Sequence, residues 1–305
     1  MAFIWLNYPE AAQLSPEPSI FRFDARRRSG YGKNMKSRPI PRRDFLTIVG
    51  ASTVAAVSTP AILLAQEDYG RKKIPFGLQL YSVRNECAKD LVGTVKAVGK
   101  MGYKGVEFAG YHGRDAKTLR QLLDDSGLKC CGTHIPLDTL LADNLPKTVE
   151  FNQTLGNKFL IVPSLPGKYQ KTRQGWQEAA DVFSGIAEKV KPHGMKVGYH
   201  NHNVEFRPLD GETPWDTFFT RASKDVVIQF DTGNGVREGG HPMKFIGKHP
   251  GRVASLHVKP YSRKKPNALI GDKEDELPWK EIFHTCETID GTEWYIIEYE
   301  KVLIS

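Results

Sequence analysis

From residue 70 onward, the sequence alternates between apolar segments of strand length and amphipathic segments of helix length. Such alternation is typical of a parallel sheet whose strands are joined by helices. Eight strand segments favour a closed eight-stranded parallel α/β barrel. An open, doubly wound sheet is the alternative, but its glycine-rich phosphate motif does not follow the first strand. The predicted strands are residues 76–83, 104–110, 129–136, 158–163, 196–206, 226–234, 253–261 and 294–300.

Helix signals occupy the segments between the strands. Asp115 is a candidate N-cap residue, and Gly127 follows the end of the same predicted helix. The clearest helices are predicted at residues 88–101, 116–123, 175–190, 214–222, 242–248 and 278–288. No internal repeat or low-complexity linker interrupts residues 70–305, so we predict one barrel domain over this range. Because only five residues follow Glu300, we expect the barrel to lack the helix that usually follows the last strand.

The segment before the barrel has features of an export signal. Arg42 and Arg43 precede an apolar pair and a weakly apolar run over 48–64, and Ala65 follows. Residues 35–65 resemble a twin-arginine signal peptide, which predicts export to the periplasm. Polar residues and Pro60 interrupt the apolar run, so no stable membrane span is expected after signal cleavage. Residues 1–34 precede Met35 and are predicted to be a non-native or disordered extension.

The basic charge of the chain is concentrated in this leading segment. Residues 1–65 carry nine Lys or Arg and four acids, so they hold +5 of the formal charge of +8. The small remainder argues against a nucleic-acid partner for the barrel. Four cysteines have no CxxC spacing, which argues against a zinc knuckle. Cys130 and Cys131 are neighbours in a predicted strand and should face opposite sides of the sheet.

Acidic and imidazole side chains recur where the predicted strands end. The C-terminal strand ends of an α/β barrel meet at one rim, where barrel active sites are built. Each such residue alone could be structural, but several on one rim predict a site. Nitrogen and oxygen ligands without thiolate suit one divalent ion such as Mn²⁺, Mg²⁺, Co²⁺, Fe²⁺ or Zn²⁺. The rim residues are Glu107, His134, His200, His202, Asp231, His257, Lys259 and Glu298.

The motifs around these residues resemble the xylose isomerase-like TIM-barrel superfamily, and most of all the proteins called sugar phosphate isomerases/epimerases. The resemblance covers about residues 74–300 and is more specific for the superfamily than for a substrate. It rests on Gly105-Val106-Glu107-Phe108, Gly132-Thr133-His134, Tyr199-His200-Asn201-His202, Phe230-Asp231-Thr232-Gly233, Leu256-His257-Val258-Lys259, Ile270-Gly271-Asp272, Pro278-Trp279 and Ile297-Glu298, in this order.

The resemblance implies one divalent metal held by Glu, Asp, His and Glu from strands five to eight. Asp231, His257 and Glu298 match this pattern, whereas His200 stands where many relatives have Glu. The implied ligands are therefore His200, Asp231, His257 and Glu298. Glu298 is also the first candidate for a catalytic acid or base. His202 matches a histidine of related dehydratases that resembles a general base, and is the second.

Further roles follow from the same comparison and from strand geometry. Glu107, His134 and Lys259 are predicted to contact sugar oxygens, although Lys259 could instead be a solvated lysine at a strand end. If the fifth strand continues past His200, then His202 faces the same side two residues later. Asn201 would then point out of the barrel into the helix layer.

The resemblance implies chemistry through an enediolate on an unphosphorylated sugar. A metal-dependent isomerase or epimerase is the first hypothesis. The alternative is a lyase or dehydratase acting on a keto-sugar or a 3-keto-glycoside, favoured by His200 in place of one of two opposed glutamates. A non-catalytic sugar-binding barrel is the third. The abasic-site endonuclease branch would need a larger ligand set and a basic groove. A homo-oligomer is compatible with the sequence.

Overall fold

Eight parallel strands close into a barrel in sequence order, with β1 paired to β8. The computed structural model describes residues 73–289 and 291–299. The predicted closed barrel is confirmed. The extension, the export signal and the expected absence of a final helix concern residues outside this range. The strands are β1 Phe76–Gln79, β2 Gly105–Ala109, β3 Lys129–His134, β4 Phe159–Val162, β5 Lys196–His200, β6 Val227–Asp231, β7 Val253–Val258 and β8 Trp294–Ile297.

Helices connect the strands and cover the outside of the barrel. Asp115 accepts a hydrogen bond from the Thr118 amide at 2.9 Å, which confirms it as an N-cap. Among the described residues, no helix is long and apolar enough to cross a membrane. The helices are α1 Arg84–Lys100, α2 Ala116–Asp125, α3 Leu145–Leu155, α4 Gly167–Gln170, α5 Arg173–Val190, α6 Pro214–Arg221, α7 Thr232–Arg237, α8 Pro242–Gly247 and α9 Trp279–Thr288.

All eight strands end earlier than the apolar pattern predicts, and β1, β6 and β5 are among those that end three or more residues early. After β1 the chain enters a 3-10 turn, because the Gln79 side chain accepts from the Tyr81 amide at 3.0 Å. Strand β6 ends at Asp231, whose side chain accepts from the Asn234 amide and starts α7. Strand β5 ends at His200. In the first two cases a polar side chain caps the following turn, and this competes with further strand pairing.

The lower part of the barrel interior is apolar. A Cβ at Gly77 would lie 2.7 Å from the Cys131 sulfur, two strands away, which places Cys131 inside the barrel. Cys131 packs there with Ile161 and other interior residues, whereas Cys130 belongs to the outer core. The predicted opposite orientation of the two cysteines is therefore confirmed. Polar side chains occupy the interior above this layer, at the strand ends.

Candidate metal centre and active site

The barrel brings the four predicted metal ligands together. His200 ends β5, Asp231 ends β6, His257 lies in β7 and Glu298 follows β8. One nitrogen or oxygen atom from each side chain lies within 4.8 Å of those of the others, and all four residues are buried. His134, from β3, forms a second such group with the two histidines. This closeness depends on barrel closure, because the residues are spread over nearly a hundred positions of the chain.

Asp231 has the side-chain atom that best fits a cation. Its Oδ1 accepts from the Asn234 amide at 2.7 Å, whereas its buried Oδ2 has no hydrogen-bond partner. The Lys259 ammonium lies 3.7 Å from Oδ2. Burial raises the pKa of Asp231 to about 7, although Lys259 works in the opposite direction. A buried carboxylate oxygen without a hydrogen bond is costly, and a bound metal ion would satisfy it.

His257 is held between two carboxylates. Its Nδ1 lies 2.6 Å from Oε2 of Glu298, and its Nε2 lies 2.6 Å from Oε2 of Glu107. Burial disfavours the imidazolium, but the two carboxylates outweigh it and raise the pKa of His257 to about 10. Burial raises the pKa of both glutamates, but His134 and His257 beside Glu107, and His257 beside Glu298, hold both pKa values below the ordinary value. A metal-binding histidine is usually oriented by a carboxylate that accepts a hydrogen bond from the ring nitrogen not bound to the metal.

Glu107 is enclosed by protein groups next to the ligand cluster. The residue is fully buried. Its Oε1 accepts from Gln229 at 2.7 Å, and its Oε2 accepts from Gln79 at 2.7 Å as well as from His257. Both oxygens are thus occupied by protein donors. The predicted contact between Glu107 and a sugar oxygen finds no support in this arrangement.

Gln229 is a buried member of the site that sequence patterns did not reveal. Its amide hydrogen-bonds four different side chains, from strands β2, β3, β5 and β7. A signal for it exists in the sequence. Strand alternation puts Gln229 on the same face as Asp231, two residues later. A glutamine facing inward in an otherwise apolar strand indicates a buried polar network.

His200 and His134 both contact the Gln229 amide. The Nδ1 atom of His200 lies 2.9 Å from Gln229 Oε1, and the Nε2 atom of His134 lies 2.6 Å from the same oxygen. Burial places the pKa of His200 well below its ordinary value, so its imidazole is neutral. A neutral imidazole has one lone pair available for a metal.

The segment after His200 differs from the strand that was predicted. Asn201 does not enter the helix layer: its Oδ1 accepts from the Asp231 amide at 2.8 Å, and its Nδ2 donates to the Asp231 carbonyl at 3.1 Å. That prediction was wrong because β5 ends at His200, six residues before its predicted end, and strand alternation stops there. His202 still lies near its predicted neighbour, with its ring centroid 5.2 Å from that of His200.

A buried carboxylate that the sequence analysis overlooked fixes this segment. Glu205 accepts from the Tyr199 hydroxyl and, at 2.9 Å, from the His202 amide. The His202 carbonyl accepts from the Asn201 side chain at 3.1 Å. Burial raises the pKa of Glu205. The backbone of His202 is therefore held through both its amide and its carbonyl, and a turn replaces strand geometry in placing its ring.

Lys259 is buried and is not a solvated lysine at a strand end. Its ammonium donates to Oδ1 of Asn234 at 3.0 Å and faces Asp231. Its backbone amide donates to Thr232, at the start of α7. The cation thus balances part of the negative charge that the two carboxylates of the cluster bring into the barrel.

A family model described as the xylose isomerase-like TIM barrel matches residues 95–302, well over half of the chain. The chain belongs to this family. Enzymes of the xylose isomerase-like family commonly use a metal, in accord with the His/Asp/Glu cluster at the strand ends. The predicted family is therefore confirmed.

Several curated relatives of the chain are inosose dehydratases by name. The inosose dehydratase of Clostridium beijerinckii is 22% identical over 245 residues, which cover 68% of this chain and 82% of that protein. The inosose dehydratase of Lacticaseibacillus casei is 26% identical over 237 residues, covering 66% of this chain and 78% of the relative. At this identity the names guide a proposal about the reaction.

Solved structures share the barrel of this xylose isomerase-like protein. A sugar phosphate isomerase/epimerase from Parabacteroides distasonis superposes with a TM-score of 0.64 at 26% identity, covering 75% of this chain and 92% of that chain. A structure described as IOLI protein with a binding zinc atom has a TM-score of 0.55 at 11% identity, covering 75% and 90%. The second likeness shows the fold alone.

Proposed function

We propose that this protein is a divalent-metal-dependent dehydratase of unphosphorylated polyhydroxylated ketones. It removes a proton next to the ketone and eliminates water from the following carbon. The observation that carries the proposal is the buried Oδ2 of Asp231, which has no hydrogen-bond partner inside a cluster of imidazoles and carboxylates. The names of the curated relatives support elimination of water, and an inosose is itself a polyhydroxylated ketone.

His200, Asp231, His257 and Glu298 are the residues that would hold the metal. Two imidazoles and two carboxylates suit Mn²⁺, Mg²⁺, Co²⁺, Fe²⁺ or Zn²⁺. When bound, the ion would polarise the ketone and lower the pKa of the neighbouring C–H group. Glu107 orients His257 through the contact with its Nε2 atom, and the four ligands themselves would face the substrate.

Glu298 and His202 are the proposed proton carriers. Elimination of water needs one group that takes the proton from carbon and one that gives a proton to the departing hydroxyl. A carboxylate at position 298 and an imidazole at position 202 supply these two roles. A two-sided epimerase would need a second carboxylate opposite Glu298, and the corresponding position holds His200, which is neutral.

His134 and Lys259 remain proposed contacts for substrate oxygens. His134 is partly exposed at the end of β3, and its ring stacks on His257 with centroids 5.4 Å apart. Lys259 presents its ammonium beside Asp231. We assign Glu107 to the support of His257 instead, since its oxygens are filled by protein donors.

A sugar isomerase is the second candidate. The solved Parabacteroides structure at 26% identity is described as a sugar phosphate isomerase/epimerase. A single base is enough to move a proton between adjacent carbons of a ketose, so Glu298 alone could serve.

We also propose export through the twin-arginine signal at residues 35–65. Export argues against phosphorylated substrates, which are mostly cytoplasmic.

Product analysis tests the proposal. Metal-loaded protein is incubated in D₂O with an inosose, with free ketohexoses and with 3-keto-glycosides, and products are followed by NMR. We expect elimination products and weak or no epimerisation at C3 of free ketohexoses. Isomerisation without elimination would favour the second candidate. Efficient C3 epimerisation with uptake of one solvent deuteron would contradict both. The Asp231→Ala variant serves as the metal-free background.

A further inference from the structure

The amide of Gln229 forms hydrogen bonds through both of its polar atoms below the proposed metal site. The residue is fully buried in β6. Its Nε2 donates to Oε1 of Glu107 at 2.7 Å and to the hydroxyl of Ser255 at 3.0 Å. Its Oε1 faces Nδ1 of His200 at 2.9 Å and Nε2 of His134 at 2.6 Å. Both donor hydrogens and both acceptor lone pairs of the amide are therefore used.

Only one orientation of this amide satisfies its neighbours. If the amide were reversed, its oxygen would face Oε1 of Glu107 at 2.7 Å. The Glu107 carboxylate already accepts from Gln79 and His257 through its other oxygen, so two acceptors would meet. The amide oxygen of Gln229 must therefore face the two imidazoles.

This orientation determines which nitrogen of each histidine has the hydrogen. An acceptor oxygen next to Nδ1 of His200 requires an N–H there. A neutral imidazole with hydrogen on Nδ1 keeps its lone pair on Nε2. By the same reasoning His134 has its hydrogen on Nε2, which also lies 3.2 Å from an oxygen of Glu107.

We propose that Gln229 is a positioning residue that fixes the tautomer of His200, so that His200 binds the metal through Nε2. The inference rests on the proposed metal site. It assigns the glutamine no contact with substrate or metal. Without the amide, the His200 ring could turn or shift its hydrogen, and part of the population would offer an N–H to the cation.

Two matched glutamines allow a direct test. Gln79 and Gln229 are both fully buried and both donate to Glu107, but of the two only Gln229 contacts histidines. Co²⁺ affinity is measured for Gln229→Leu, Gln79→Leu and the unchanged protein, with circular dichroism as a folding check. Loss of a partner behind a ligand typically weakens metal binding about 10- to 100-fold, and we expect this for Gln229→Leu but less than about 10-fold for Gln79→Leu.

Equal losses in the two variants would overturn the inference, because the effect would then pass through Glu107 and His257. The Co²⁺ absorption spectrum should also change in Gln229→Leu, since the His200 ligand is altered. An unchanged spectrum and affinity would equally refute the positioning role.

A measurement on the unchanged protein covers the case in which Gln229→Leu does not fold. ¹⁵N NMR of histidine-labelled protein, assigned with His200→Ala, should show a protonated Nδ1 on His200 both without metal and with Zn²⁺. In the zinc form, Nε2 should show the metal-bound shift. Binding through Nδ1, or hydrogen on Nε2 in the metal-free protein, would overturn the inference and leave the proposed function intact. A protein that binds no metal but shows the expected tautomer would refute the proposed function and the Nε2–metal contact that rests on it, and would support only the role of Gln229 in fixing the tautomer.

Discussion

The Nε2 atom of His257 lies 2.6 Å from Oε2 of Glu107, although the residues are 150 positions apart in the chain. The other ring nitrogen lies at the same distance from Glu298. The imidazole thus bridges two carboxylates and, in the metal-free protein, has hydrogen on both nitrogens. A metal that binds His257 at Nδ1 must displace one of these protons.

Metal affinity should therefore rise with pH. His257 has a pKa of about 10, above its ordinary 6.5, and Asp231 has a pKa of about 7, above its ordinary 3.8. Both groups hold protons below these values, and metal binding must release them. We expect the release of about two protons below pH 7 and about one between pH 7 and 10. Competition titrations with Mn²⁺ or Co²⁺ across pH 6–9 measure this, and an affinity independent of pH would contradict it.

Replacing Glu107 with Gln should weaken the fold of the metal-free protein. The amide offers one acceptor oxygen where three side-chain donors now converge on a carboxylate. An unsatisfied buried donor costs about 1–3 kcal/mol in free energy of unfolding. Glu293→Gln is a control, because it removes a partly exposed ion pair with Lys158, worth about 1 kcal/mol or less. Chemical denaturation measures both; equal losses in the two variants would contradict the prediction.

Replacing Asp231 should remove the metal without unfolding the barrel. Asp231→Ala loses the ligand and also the N-cap of α7, which costs about 1 kcal/mol of stability. Asp231→Asn keeps a side-chain oxygen for the cap and loses the charge. We expect little bound metal in either variant, with the Asn variant nearer to normal stability. Elemental analysis and thermal unfolding test this. Stoichiometric metal in Asp231→Ala would contradict the assignment of Asp231 as a ligand.

Replacing His202 and His200 one at a time should separate the effect on catalysis from the effect on metal binding. His202→Ala is expected to keep its metal and lose activity about 10²- to 10⁴-fold, the usual contribution of a general acid or base. His200→Ala is expected to lose the metal. Metal content and turnover are measured on both variants. If His202→Ala loses metal as fully as His200→Ala, the two roles are misassigned; if it keeps full activity, His202 is scaffolding.

Export should depend on Arg42 and Arg43. Changing both to Lys is expected to leave the protein in the cytoplasm, because twin-arginine signals are read by a receptor that requires the arginine pair. Changing Arg26 and Arg27 to Lys is a matched control outside residues 35–65. Cell fractionation and immunoblotting measure the outcome. Unchanged export of the Arg42/Arg43 variant would show that another signal acts.

Local sequence patterns were enough to predict the barrel and the gathering of acidic and imidazole side chains at one rim, whereas the choice of four ligands among them came from the family resemblance. Parallel strands alternating with helices can close in sequence order, and closure carries every C-terminal strand end to one rim. The positions of His200, Asp231, His257 and Glu298 at strand ends therefore predicted that they meet. Similarly, the opposite orientation of Cys130 and Cys131 was predicted from the two-residue period of a strand. These features depend on residues close in sequence and on the closure of consecutive parallel strands into a barrel.

Only the tertiary structure decided which polar residues support the cluster. The sequence predicted a substrate contact for Glu107 and no role for Gln229 or Gln79, whereas the hydrogen bonds of all three join side chains that meet across the barrel interior. Register shifts at Val106/Glu107 and Ile228/Gln229 alter local strand pairing beside two of them. The position of His202 likewise depends on buried hydrogen bonds in a turn. Strand periodicity describes neighbours along the chain, whereas these contacts join atoms that only the closed barrel brings together.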